Sequence, residues 1–203
     1  MTRNELLNVL CTRIRVMTTE QVGQMMAIES GLDTFIRQLE SANLVVRRRV
    51  LARPVLRLVR PVVAWRPGEP LPEFGRVAYR LQQRWSAPLK ATEIVIATKV
   101  TAKRRGGCFL GRWPRASEIS HDVNLAGVYL WFRKNRPADA VAWLPEAQQL
   151  REGLGTRVGS RLPDALIHSN GAIRCVIEFG GSYRKQKLVS FHAQNECVPY
   201  EIW

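Results

Sequence analysis

The stretch RLPDALIHSNGAIRCVIEFGGSYRKQK, residues 161–187, constrains the fold more than any other part of the chain. An Asn-Gly pair between two apolar runs is a strong hairpin signal, because both residues tolerate the positive φ that a two-residue turn demands. The spacing predicts a strand over Asp164-Ala165-Leu166-Ile167, a turn at Ser169-Asn170-Gly171, and a return strand from Ile173 through Phe179. Asp164 opens the first strand and Glu178 sits late in the second, so both carboxylates are expected at the same end of the hairpin. Such a pair offers hard oxygen ligands to a divalent cation, Mg²⁺ or Mn²⁺, which can activate water and stabilise charge on a phosphodiester. The same residues admit a plainer role. Asp164 after Pro163 can cap a turn, and Glu178 can pair with Arg184 or Lys185.

Charge narrows the partner. The chain has 203 residues, with 31 Lys and Arg against 17 Asp and Glu, and a net charge of +14. That excess attracts polyanions, nucleic acid first and an anionic membrane surface second. With 46% hydrophobic and 24% charged residues, the composition is that of a globular chain. No apolar run approaches the roughly 18 residues that a membrane span needs. Glu5 and Asn8 interrupt any signal-peptide layout at the start. Cys11, Cys108, Cys175 and Cys197 stand singly, without CxxC spacing, as apolar thiols of a reducing cytosol do. Three histidines without clustered ligands do not suggest a structural zinc site. The expectation is a cytoplasmic protein that binds DNA, with no membrane partner.

The N-terminal third supplies a DNA-binding pattern. Leu6, Leu7, Leu10 and Ile14 have helical spacing, Thr18 can cap a second helix, and Leu32, Phe35, Ile36 and Leu39 stripe a third that Asn43 can end. Two β-branched runs joined at Ala52-Arg53-Pro54 then predict a basic hairpin. Three short helices and a hairpin describe a winged helix-turn-helix. Residues 44–66 hold Arg47, Arg48, Arg49, Arg53, Arg57, Arg60 and Arg66 and no acid, which suits phosphates or a minor groove. The third helix would enter the major groove of duplex DNA, presenting Asp33, Thr34, Arg37, Gln38 and Ser41. Glu29, Asp33 and Glu40 work against a phosphate-hugging pose, and a winged helix can also contact protein. Winged helices often act as pairs, so a homodimer fits the pattern.

Beyond the proline-rich segment 65–74, FGRVAYRLQQRW predicts a helix with Val77, Leu81 and Trp85 inward, and SAPLK a break. TEIVIATKV predicts a further helix or strand. Lys103-Arg104-Arg105 reads as a surface turn or a phosphate contact, and GGCFLG lacks the ending of a P-loop. A strong helix follows from Ser117, with Ile119, Val123, Ala126 and Leu130 on one face and Pro137 closing it. His121 and Asp122 on this helix suit a metal or a proton shuttle, or merely a satisfied histidine and a solvated acid. AVAW suggests a short strand ending at Trp143, then a helix bearing Glu146 and Arg151. The last segment predicts a helix with Tyr183, Leu188 and Phe191 inward, then a closing strand whose Trp203 packs.

Pro163-Asp164, followed after a buried strand by Glu178-Phe179-Gly180, resembles the PD-(D/E)xK nuclease-like superfamily. A winged helix, the helix HDVNLAGVYL, a W-x-x-E segment (Trp143, Glu146), LPDALI and the acidic strand together look like the replication-relaxation family. Those are plasmid and mobile-element proteins related to one class of mobilisation relaxases. The resemblance implies an α+β chain with a winged helix over 1–66, a linker and connecting helix over 67–88, and an α/β restriction-endonuclease-like domain over 89–203. It also implies Mg²⁺ or Mn²⁺ on Asp164 and Glu178, with Glu118 as a third acid. The sequence departs from the pattern where a lysine is expected two residues after the second acid, since Gly180 stands there. Lys185 or Lys187 can reach back from the next helix, and Tyr183 can supply a hydroxyl. Two readings stay open. One is a DNA-binding replication or mobilisation protein that nicks DNA with a metal, and the other a regulator or accessory factor that only binds.

Overall fold

The computed structural model describes residues 2–154 and 161–203 as a mixed α+β fold in two compact units. The first unit comprises Met1–Val55 and Leu89–Leu130, the second Leu56–Pro88 and Trp131–Trp203. Among the described residues no helix is long and apolar enough to cross a membrane.

The chain opens with α1 (Arg3–Thr12), β1 (Met17–Thr18), α2 (Thr19–Met26) and α3 (Leu32–Ser41). Thr18 starts α2 with a reciprocal cap: its hydroxyl accepts the Gln21 N–H at 3.1 Å and the Gln21 side chain accepts the Thr18 N–H at 2.9 Å. Asn43, in the left-handed region at φ 53°, turns the chain out of α3 as expected. β2 (Val45–Ala52) follows, then β3 (Val63–Trp65) and α4 (Phe74–Arg84), which belong to the second unit, before β4 (Lys90–Ala97) returns to the first.

The basic ribbon differs from its sequence expectation. β2 does not turn back at Ala52-Arg53-Pro54 but pairs antiparallel with β4, from Val45↔Ala97 to Ala52↔Lys90. Pro54 and Pro61 lack the N–H groups that a continuous ladder requires, whereas KATEIVIA offers eight unbroken donors. The intervening residues build into the second unit, so the division differs from the contiguous segments 1–66, 67–88 and 89–203. β1 joins the far side of β4, giving the order β1-β4-β2. One face of this sheet packs Val16, Ala52, Ile94 and Ile96 against Ile119 and Val123 of α6 (Ala116–Asn135), reached through α5 (Lys99–Arg104).

The second unit continues with α7 (Pro137–Val141), β5 (Trp143–Pro145), α8 (Glu146–Arg151), β6 (Ala165–Ser169), β7 (Ala172–Glu178), α9 (Lys185–Asn195) and β8 (Tyr200–Ile202). Pro137 stands in the first turn of α7, where its missing N–H costs nothing, and Trp143 begins a strand rather than ending one. The five strands run in the order β3-β8-β7-β6-β5. β5, β6 and β7 form an antiparallel meander, and β8 returns through α9 to lie parallel to β7. The expected hairpin is present, its turn made by Asn170 (φ 54°) and Gly171 (φ 75°). Leu144, Leu166, Val176, Tyr200 and Ile202 pack with Val77, Ala78 and Leu81 of α4 and Leu188 and Phe191 of α9. Strand alternation sends Trp143 the other way, where its ring meets Phe132, and Phe132 and Trp131 meet Trp203.

Candidate functional site

The register of β6 and β7 brings Asp164 and Glu178 together. Ala165 stands opposite Ile177, so the residue before one strand faces the last residue of the other. Each acid then accepts a backbone N–H from the opposite strand end. Glu178 Oε2 accepts the Asp164 N–H at 3.1 Å, and Asp164 Oδ2 accepts the Phe179 N–H at 2.7 Å. Glu178 is 3% exposed, and its Oε1 accepts the hydroxyl of buried Tyr183. The Trp143–Glu146 segment docks alongside, with the Glu146 N–H donating to the Asp164 carbonyl at 3.0 Å. The start of β6, the end of β7 and the entry to α9 thus converge.

Gly180 sits in a tight place. A Cβ there would lie 2.7 Å from Leu81 Cδ1 and 3.1 Å from Ile202 Cγ2, so a side chain at this position would require Leu81 to shift. Gly181, at φ 47°, then makes the sharp exit from β7. The ammonium that accompanies the carboxylates comes from α9. Lys187 is half-buried, with Nζ 3.3 Å from the centroid of the Tyr183 ring, whereas Lys185 is exposed. Burial, helped by the charge of Arg161, brings the Lys187 pKa down to about 8, while Glu178 and Asp164 oppose the shift. Burial first, then the charges of Glu178 and Asp164, push the Tyr183 pKa upward. Its phenol therefore serves as a hydrogen-bond donor and is a poor source of phenolate.

The shift of Lys187 has a measurable consequence. Between its folded value of about 8 and its ordinary 10.5, the unfolded chain holds the proton and the folded chain does not. Stability therefore rises with pH in that window, and below it the penalty on the buried ammonium is fully present. Lys187→Met is expected to remove this rise, which denaturant midpoints of both proteins across the window will read.

Other expected residues are engaged elsewhere. Glu118, expected as a third metal ligand, belongs to the first unit, where Arg15 binds it at 2.8 Å and Arg112 at 2.9 Å. Burial would raise its pKa, but the Arg115 N–H and the charges of Arg15 and Arg112 bring it below the ordinary value. Asp122 also pairs with Arg15, which leaves the His121-Asp122 neighbours as part of an ion-pair cluster. Among the described residues no group of three or more His, Cys, Asp or Glu side chains could hold a metal. At the hairpin end the available hard ligands are the carboxylates of Asp164 and Glu178, and a Mg²⁺ or Mn²⁺ ion held by one or two carboxylates keeps several waters.

In the first unit, Asp33, Thr34, Arg37, Gln38 and Ser41 stand on the exposed face of α3 as expected. The arginines differ among themselves. Arg47 is held by Asp33 at 2.6 Å, Glu40 at 3.1 Å and Glu93 at 3.7 Å, and Arg37 also pairs with Asp33. The hydrogen bond from Arg47, with the charges of both arginines, holds the Asp33 carboxyl below its usual range. Strand alternation turns Arg48 to the opposite face, over the Trp113 ring at 4.6 Å, and Arg49 is exposed. Arg53 donates its backbone N–H to Ser120 Oγ at 2.9 Å, and Arg57 falls in the second unit. Arg105, from the basic triplet, is tied to Asn4 and Asn8. Comparison of the chain with protein-family models, curated proteins and solved structures returned no match.

Proposed function

We propose that the protein binds duplex DNA through its first unit and carries a candidate metal-dependent DNA-nicking centre in its second. In this reading the first unit is a winged helix whose wing is the β2–β4 ribbon, with Arg48, Arg49 and the exposed α3 residues Arg37 and Gln38 toward DNA. Arg47 is assigned to holding the ribbon against α3. The second unit is a restriction-endonuclease-like domain, a meander followed by a helix and a parallel strand. Membership of the replication-relaxation type is part of the same proposal.

One observation carries it: Asp164, Glu178, Tyr183 and Lys187 converge at one hairpin end. A Mg²⁺ or Mn²⁺ ion on the carboxylates would supply charge stabilisation at a phosphodiester. The Phe179 N–H and the Tyr183 hydroxyl orient the two carboxylates. Lys187, its pKa lowered to about 8 by burial, can hold or release a proton beside the scissile group. Basic excess is available to both units, with 15 basic against 8 acidic residues in the first and 16 against 9 in the second.

A binding-only role is the second reading. It is favoured by Glu178, each of whose oxygens already accepts a hydrogen bond, from the Asp164 N–H and the Tyr183 hydroxyl. Incubation with supercoiled plasmid in Mn²⁺ or in EDTA separates the two, beside Glu178→Gln. The expected result is nicking in Mn²⁺ that EDTA and Glu178→Gln abolish. A plasmid that is shifted but never cut would leave the regulator or accessory reading.

A further inference from the structure

α4 carries Arg76, Arg80 and Arg84 at i, i+4 and i+8, one row along its flank with a rise of about 6 Å per step. The helix contains no acid, and among the described residues no carboxylate pairs with any of the three. Other arginines of the chain are neutralised: Arg15 and Arg136 each meet two acids and Arg47 meets three. Arg76 and Arg80 are exposed, while Arg84, at the edge of the buried face, is partly enclosed with its guanidinium 5.8 Å from the Phe179 ring centroid. Its Nε and Nη2 are buried and meet no hydrogen-bond acceptor. Buried donors that meet no acceptor cost free energy. Burial accordingly lowers the Arg84 pKa to about 10.

A second feature lies on the same helix. Tyr79 is 62% exposed, and its hydroxyl accepts a 2.5 Å hydrogen bond from Gln83 Nε2 one turn on, which fixes the ring on the surface. An exposed aromatic ring beside a row of unneutralised cations is the combination that binds single strands, where the cations track phosphates and the ring stacks a base. A duplex would use the cations but leave the ring idle. Phe179 links this flank to the carboxylates, since its ring faces Arg84 and its N–H binds Asp164.

We propose that the exposed flank of α4 binds single-stranded nucleic acid, with phosphates on Arg76, Arg80 and Arg84 and a base on Tyr79. This contact is independent of the duplex contact assigned to the first unit.

The test is binding of a fluorescent oligothymidylate and of a duplex to the full chain over a salt series. The probes are wild type, Arg76→Gln/Arg80→Gln/Arg84→Gln, Tyr79→Ala, and the ribbon variant Arg48→Gln/Arg49→Gln. Each single-strand phosphate contact contributes about 0.7 to the slope of log K against log salt, so the triple variant is expected to lose about 2. Tyr79→Ala is expected to weaken oligothymidylate roughly tenfold or more while leaving the salt slope unchanged. Arg76→Gln/Arg80→Gln, both at exposed positions, covers the case in which loss of Arg84 unfolds the chain, and should lose about 1.4 of slope. A wild-type slope in either arginine variant overturns the proposal, as does binding to phosphatidylserine vesicles without binding to the oligonucleotide. The ribbon variant tests the first unit separately: it should weaken duplex and spare oligothymidylate.

Discussion

Trp203→Ala is expected to destabilise the second unit by about 3–5 kcal/mol, the range for emptying a fully enclosed aromatic site. Trp203 is completely buried, with its ring centroid 4.7 Å from that of Trp131 and 5.8 Å from that of Phe132. Its indole N–H donates to Glu201 at 3.0 Å, and Glu201 keeps Arg136 as a partner after the substitution. The backbone bonds of residue 203, its N–H to the Glu178 carbonyl and its carbonyl from the Gly180 N–H, also survive an alanine. The loss is therefore one of packing, and the residual cavity adds to it because neighbouring rings collapse only partly. Denaturant unfolding followed by far-UV circular dichroism checks this through a lowered midpoint with an unchanged slope. A midpoint within experimental error of wild type would show that the aromatic cluster adds little to the unit.

Tyr183→Phe is expected to cost about 1–3 kcal/mol, the penalty for leaving a buried acceptor without its donor. The phenol donates to Glu178 Oε1, and Tyr183 and Glu178 are 8% and 3% exposed. Phenylalanine preserves the ring that packs in the α4–α9 core and lies under Lys187. What goes is one hydrogen bond to a carboxylate that retains the Asp164 N–H. The same variant distinguishes two chemical roles. As an orienting donor Tyr183 would leave reduced nicking after the change, whereas a nucleophile would leave none. The upward pKa shift caused by burial and the two carboxylates supports the donor role, so partial activity is the expected outcome in the plasmid assay.

Local signals in the sequence carried far where the physics is local. Asn170-Gly171 demanded a two-residue turn, and the turn placed Asp164 and Glu178 at one end without any knowledge of the rest of the sheet. Thr18 with Gln21, Asn43 after α3, and the apolar stripe of α3 likewise fixed helix ends and faces from neighbours a few residues apart. The ribbon was different. Its first strand and its charge were legible, but its partner was Lys90–Ala97 rather than residues 55–66, because strand pairing is a choice among distant segments and the prolines only exclude candidates. The arginines diverged for the same reason. Alternation along β2 is readable, yet only the packing of α3 against β2 shows that Arg47 meets Asp33 and Glu40 while Arg48 meets Trp113.

At the carboxylate site the division is equally clear. Sequence alone determined a basic α+β chain, a hairpin with two acids at one end, and the absence of a lysine at position 180. Tertiary structure decided how closely position 180 is hemmed in, through the approach of Leu81 and Ile202 to Gly180. It also decided that Lys187 rather than Lys185 stands with the acids, that Glu118 belongs to an arginine cluster in the other unit, and that Arg84 is enclosed without an acceptor. Hairpin turns are set by the dihedral preferences of two adjacent residues, which the sequence carries in full. Burial and charge pairing are set by which remote surfaces meet, and that information exists only once the chain has folded.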